Sequence, residues 1–183
     1  MSAGQEALAG PGIADLISSA IRDVRDYPQP GIVFKDITPL LADGAALAAV
    51  VGALAAGHGR IDKVAGIEAR GFILAAPVAV ALGAGFVPVR KQGKLPGPTI
   101  ARTYQLEYGT ATLEVHEDAF DAGDRVLIVD DVLATGGTAA ATADLVRRSG
   151  AEVTAIAVML ELGFLSGRAQ LPGLDLRSLL VTT

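Results

Sequence analysis

Four apolar β-formers, Val126 to Val129, run straight into two adjacent carboxylates, Asp130 and Asp131. A loop with paired glycines flanked by threonines, Ala134-Thr-Gly-Gly-Thr138, comes next, and an Ala-rich stretch of helical character, Thr138 to Ser149, follows it. A strand that is apolar on both faces is a central strand of a parallel sheet, covered above and below. Strand, tight loop and helix in that order specify an α/β chain, whose ligands bind at the carboxyl ends of its strands. Gly136 and Gly137 let the main chain approach an anion and turn N–H groups toward it, while the helix start adds unpaired donors and partial positive charge. The stretch therefore reads as a phosphate cradle, with donors from Ala134, Thr135, Gly136, Gly137 and Thr138. Ionised Asp130 and Asp131 only accept hydrogen bonds, which suits a diol and repels a phosphate. Neighbouring strand residues point to opposite faces, so the strand is expected to end by Asp130 if both acids serve one ligand. No Gly-Lys-Ser/Thr follows the glycines, which excludes a P-loop.

The rest of the chain repeats the strand–helix alternation. Ile13, Leu16, Ile17, Ala20, Ile21 and Val24 recur at helical spacing and predict an amphipathic helix ended by Tyr27-Pro28. The proline-bracketed segment to Pro39 is too irregular for a long element. Asp43 caps a helix that stops near Gly57 and Gly59, and Lys63 to Ile67 reads as a strand. Phe72 to Val89 carries no polar side chain and approaches the length of a membrane span. Pro77, Gly83, Gly85 and Pro88 break it into a buried helix (Gly71 to Leu82), a turn and a buried strand (Phe86 to Arg90). Lys91 to Arg102 is rich in Lys, Gly, Pro and Arg, and a hairpin is expected around Gly109-Thr110. A strand over Val153 to Leu160, a short helix and a terminal strand near Leu176 to Val181 complete a mostly parallel sheet flanked by helices, in one domain over residues 1–183.

Charge and composition exclude several classes. The formal net charge of −5 argues against a general nucleic-acid binder, though not against an anionic small substrate, which needs only local donors. Cysteine is absent, which removes disulfides, thiolate nucleophiles and Cys-ligated metals and is compatible with a reducing compartment. His58 and His116 are too few for a multi-histidine metal site. Met1 to Gly12 has neither a basic nor an apolar signal region, so the expected setting is cytoplasmic, without a membrane segment.

Two further segments offer chemistry. Gly66-Ile-Glu-Ala-Arg-Gly71 leaves the first core strand at the same sheet edge as the cradle, and Arg70 brings a fork of donors suited to a phosphate. A cation at a helix start is mildly unfavourable, by about 0.3–1 kcal/mol, unless an anion sits nearby. Arg90-Lys91-Gln-Gly-Lys94 puts three cations in five residues before a Gly/Pro run and reads as a mobile basic lid that excludes water.

The Val126–Thr138 run resembles the phosphoribosyl pyrophosphate (PRPP) motif of the type I phosphoribosyltransferases. Leu106-Glu-Tyr-Gly109, the basic lid and Pro30-Gly-Ile-Val-Phe-Lys-Asp-Ile-Thr38 make the chain, from Tyr27 to about Gly167, similar to the adenine-using branch of that family. The resemblance implies an α/β fold with a small hood, drawn in part from residues 1–40, and a flexible lid loop. It places Asp130 and Asp131 beside the ribose hydroxyls, the cradle on the 5′-phosphate, and Arg70, Lys91 and Lys94 on pyrophosphate. Glu107 falls at N7 of the base as acid–base catalyst and Tyr108 against the ribose. Val33, Phe34 and Lys35 fall at the base, with Lys35 where many members carry Arg. By the residues alone, Glu107 reads as a strand-surface carboxylate and Asp36 as a brace for the turn before Thr38-Pro39. The resemblance also implies a cis peptide at Glu68-Ala69.

The implied reaction is adenine plus PRPP to AMP plus pyrophosphate, with Mg²⁺ held mainly by PRPP, in a cytoplasmic homodimer. Two alternatives share the PRPP loops: a transferase for another nucleobase, and a non-catalytic PRPP-sensing regulator. The second normally needs a DNA-binding appendage, which is not expected ahead of Tyr27.

Overall fold

The computed structural model describes residues 11–105 and 109–183. It begins with α1 (Pro11–Ala20), β1 (Arg22–Arg25), β2 (Val33–Asp36), α2 (Thr38–Ala42) and α3 (Gly44–Ala55). The body follows as β3 (Lys63–Ile67), α4 (Arg70–Leu82), β4 (Gly85–Lys91), β5 (Thr99–Gln105), β6 (Thr110–His116), β7 (Arg125–Leu133) and α5 (Gly137–Arg148). β8 (Glu152–Leu162), two single 3₁₀ turns at Gly163–Leu165 and Gly167–Gln170, and β9 (Leu176–Thr182) close the chain.

Seven strands form one sheet in the order β5-β6-β4-β3-β7-β8-β9. The run from β4 to β9 is parallel, and β6 joins it antiparallel through Arg90↔Glu114 and Lys91↔Leu113. Alternation along the strands divides the core in two. Val64, Leu127, Val129 and Met159 face α1, α3 and α4, whereas Ala65, Ile128, Ile156 and Val158 face α5 and the β5–β6 ribbon. α5 meets the sheet through small side chains, Ala139, Ala141, Thr142 and Ala143, before Leu145 and Val146. Gly66 is required by packing: a methyl group there would lie 2.6 Å from the Phe86 ring and 2.7 Å from Ala75 Cβ.

Capping follows the sequence closely. Asp43 accepts from the Ala45 and Ala46 amides at 2.9 and 3.1 Å and starts α3. Gly83, at φ 64°, ends α4 in the left-handed region. Glu68-Ala69 is cis, as expected, and so is Tyr27-Pro28.

Three expectations are corrected. The first helix ends at Ala20, not at Tyr27, because Val24 lies opposite Phe34 in an antiparallel ribbon made by β1 and β2. That ribbon is crossed by the ion pairs Arg22–Asp36 and Lys35–Asp23. The strand after the basic segment is longer than the expected hairpin arm from Tyr104. β5 already begins at Thr99, and Glu114 accepts the Lys94 and Leu95 amides at 3.1 Å while Glu68 holds Arg90 and Lys94. Finally, α4 is not buried on all sides: Ile73 is 45% and Val80 82% exposed. Among the described residues, no helix is long and apolar enough to cross a membrane.

Candidate active site

Because β3, β7 and β8 are parallel, the segments that leave their carboxyl ends emerge on one edge of the sheet. Two helices also begin there, α4 at Arg70 and α5 at Gly137, and aim unpaired N–H groups into the same space. Between them lies a cavity of about 450 Å³ whose wall includes Glu68, Arg70, Lys91, Tyr104, Asp130, Asp131, Ala134 and Thr138. A smaller space beside it is walled by Asp130, Ala134, Thr135, Gly136 and Thr138.

β7 does not end at Asp130; it continues to Leu133, paired with β8 as far as Glu161. The two acids still reach one cavity, because β3 leaves the other flank of β7 after Gly66↔Val129. Asp130 turns toward the start of α4, where a methyl group on Gly71 would come within 2.6 Å of its Oδ1. The Asp131 amide donates to that same oxygen at 2.9 Å. Asp131 meets Arg70, with Nε 2.9 Å from Oδ2. The contact is an ion pair without hydrogen-bond alignment, so Oδ2 accepts no hydrogen bond.

Burial pushes the Asp130 carboxyl well above its ordinary range, and the neighbouring Asp131 charge raises it further. Burial also raises Asp131, against the pull of the Arg70 guanidinium. Burial thus opposes ionisation at both acids, most strongly at Asp130, where the neighbouring charge adds to it.

The remaining expected residues divide. Arg70 also lies over the Phe34 ring, 5.2 Å from its centroid, so it links the β1–β2 ribbon to the acids. Lys91 lines the cavity. Lys94 is not part of that wall, but its Nζ donates to Glu68, which is, and which Arg90 also meets. Burial alone would raise Glu68, but the Lys94 and Arg90 bonds outweigh it and hold the carboxyl below its usual value. Lys35 turns away from Phe34, as strand alternation requires, and its Nζ meets Asp23 at 2.7 Å. Val33, beside it, is half exposed. Asp36 braces its turn as expected: its Oδ1 accepts from the Thr38 hydroxyl and amide, which hold the carboxyl down to about 2 with help from Arg22. Glu107 and Tyr108 lie outside the described residues.

Tyr104 is a site residue that the sequence reading passes over. It lines the cavity, its hydroxyl lies 3.0 Å from Thr138 Oγ1, and its ring packs where Gly137 leaves room. Strand alternation alone would have turned it toward one face of the ribbon, but not toward α5.

The phosphoribosyl transferase domain model matches residues 36–168, which contain both loops, both acids and the basic turn. The chain is 64% identical over 162 residues to an adenine phosphoribosyltransferase of Streptomyces coelicolor, covering 87% of this chain and 89% of that one. It belongs to the adenine phosphoribosyltransferase family. Solved members share the fold. The Thermoanaerobacter pseudethanolicus adenine phosphoribosyltransferase superposes with a TM-score of 0.89 at 51% identity, covering 92% of this chain and 99% of that one. The Saccharomyces cerevisiae member, complexed with an imino-altritol bisphosphate and adenine, gives 0.87 at 37%, covering 92% and 98%.

Proposed function

We infer that the protein transfers the 5-phosphoribosyl group of PRPP to adenine, giving AMP and pyrophosphate. The observation that carries this reading is the meeting of Arg70, the two acids, Ala134 and Thr138 around one cavity, with Thr135 and Gly136 on the space beside it, in a chain of this family. The C1′–O bond to pyrophosphate breaks with its electron pair, the C1′–N9 bond forms, and adenine gives up one proton. Charge gathers on the leaving pyrophosphate, where Arg70 and Lys91 oppose it. Lys94 joins them only by exchanging its Glu68 partner. Positive charge gathers on the ribose, beside Asp130 and Asp131, as in glycoside hydrolysis. The cradle grips the 5′-phosphate and sets the distance between C1′ and the base. Phe34 offers the base a ring, Val33 and Lys35 offer it main chain, Tyr108 packs on the ribose, and Glu107 adjusts protonation at N7.

The donor set suits Mg²⁺ carried by the substrate. Among the described residues, no three acids or histidines are grouped to hold an ion. Asp131 Oδ2 accepts no hydrogen bond and could reach such an ion or its water. When bound, the ion neutralises pyrophosphate charge. Exposed Ile73, Val80 and Phe86 support a homodimer, and the lack of cysteine suits the cytoplasm. Neither nucleic acid nor a membrane is a partner in this reading. Incubation with PRPP, Mg²⁺ and each nucleobase in turn, following nucleotide formation, tests it. AMP is expected from adenine, and preferential turnover of another base, or of none, refutes it.

A further inference from the structure

Glu161 is buried near the carboxyl end of β8, and the transfer reaction gives a carboxylate there nothing to do. Arg168, in the 3₁₀ turn Gly167–Gln170, forks onto it. Nε donates to Oε1 at 3.1 Å and Nη2 to Oε2 at 2.6 Å. Ser178 of β9 donates its hydroxyl to Oε2, and Arg168 Nη1 donates to the Leu176 carbonyl at 2.9 Å. One ionic knot thus ties β8, the turn and β9. Burial works against the Glu161 charge, but the Arg168 and Ser178 bonds outweigh it, so the carboxyl stays below its usual range.

The other side of that turn presses on the phosphate cradle. A methyl group on Gly167 would overlap the Ala134 carbonyl oxygen, and one on Gly136 would overlap the Gly167 carbonyl oxygen. Here main chain meets main chain, with no flexible side chain to give way. Gly136 needs glycine in any case, at φ 86°. Gly167 is not in the left-handed region, so its neighbour is what excludes a side chain. The cradle has no side-chain cap of its own at the start of α5. A loop of amides that must point at an anion before the anion arrives needs an outside support.

We propose that Arg168 is a positioning residue for the phosphate cradle: its fork onto Glu161 and Ser178 fixes Gly167, whose main chain backs Ala134 to Gly136 in the shape that receives a sugar phosphate monoester. The inference rests on reading Ala134–Thr138 as the phosphate site. Ribose 5-phosphate is the probe, titrated into wild type, Arg168→Ala, Arg168→Lys, Gly167→Ala and Gly136→Ala, with circular dichroism to establish folding. Arg168→Ala and Gly167→Ala are expected to weaken its binding about tenfold or more and to raise the KM for PRPP. The KM for adenine at saturating PRPP should stay within about twofold, and Arg168→Lys should recover part of the loss. If Gly167→Ala does not fold, the two Arg168 variants and Ser178→Ala, expected to give a smaller loss, carry the test. Unchanged ribose 5-phosphate affinity in folded Arg168→Ala overturns the proposal, as does an equal loss for adenine. If Gly136→Ala also leaves that affinity unchanged, the phosphate site itself has been misread.

Discussion

Replacing Arg70 by Met, alone and together with Asp131→Asn, separates what this residue does for the fold from what it does for the reaction. The pair sits at 2.9 Å. At that distance the attraction is about 1.4 kcal/mol in water and about 6 kcal/mol at an effective dielectric near 20. The Arg70 side chain is 36% exposed and the contact lacks hydrogen-bond alignment, so the low end governs. A coupling of about 1–2 kcal/mol is expected after screening and desolvation. For a chain of 183 residues, the single Arg70→Met change should then lower Tm by about 2–8 °C, less when Asp131 is already neutral. Its effect on the reaction should be larger. Losing one donor that opposes leaving-group charge costs about 10²–10³-fold in kcat/KM for PRPP. Thermal denaturation of the four proteins in the cycle gives the coupling, and initial rates with varied PRPP give the catalytic loss. A coupling below about 0.3 kcal/mol would dispose of the ion pair in solution. Unaltered PRPP kinetics in Arg70→Met would remove it from the pyrophosphate site.

Other outcomes follow from the same geometry. Asp130 has a raised folded-state pKa, so the stability it contributes is present below the unfolded value near 3.8 and is lost as pH rises through the folded value. Asp130→Asn should therefore raise Tm at pH 7–8 relative to wild type, with the gain shrinking toward pH 4; a gain independent of pH would contradict the burial argument. Val80→Glu should shift the protein toward monomer in sedimentation, since Val80 and Ile73 share the uncovered face of α4; an unaltered dimer would place the interface elsewhere. Glu107→Gln should lower turnover by about 10²–10⁴-fold with PRPP affinity retained, and full turnover in that variant would cancel the acid–base assignment.

Local chemistry made much of this protein readable from its residues. The apolar run Val126–Val129, the Asp43 cap and the glycine end of α4 each depend on neighbours in sequence, and each stands where the pattern puts it. What escaped depends on distant partners. Val24 fits the helical period of the residues before it, but pairing with Phe34 draws it into a ribbon. The pairing of Lys35 with Asp23 and of Lys94 with Glu68 likewise joins residues far apart in sequence. The upward shift at Asp130 comes from burial, which no spacing reveals. Tyr104 and Gly167 matter because of what lies across the fold, Thr138 and Ala134 respectively.

The run of short side chains beneath α5 acts as a ruler. Ala139 and Ala143, one turn apart on one face, put little more than a methyl group each between that helix and its surroundings, so the height of Gly136 and Gly137 above the strands is set by carbon–carbon contact. Enlarging either would lift the helix and carry the amides of its first turn away from the acids on β7. The proposed grip on a nucleotide's far end is thus gauged by residues that never touch it.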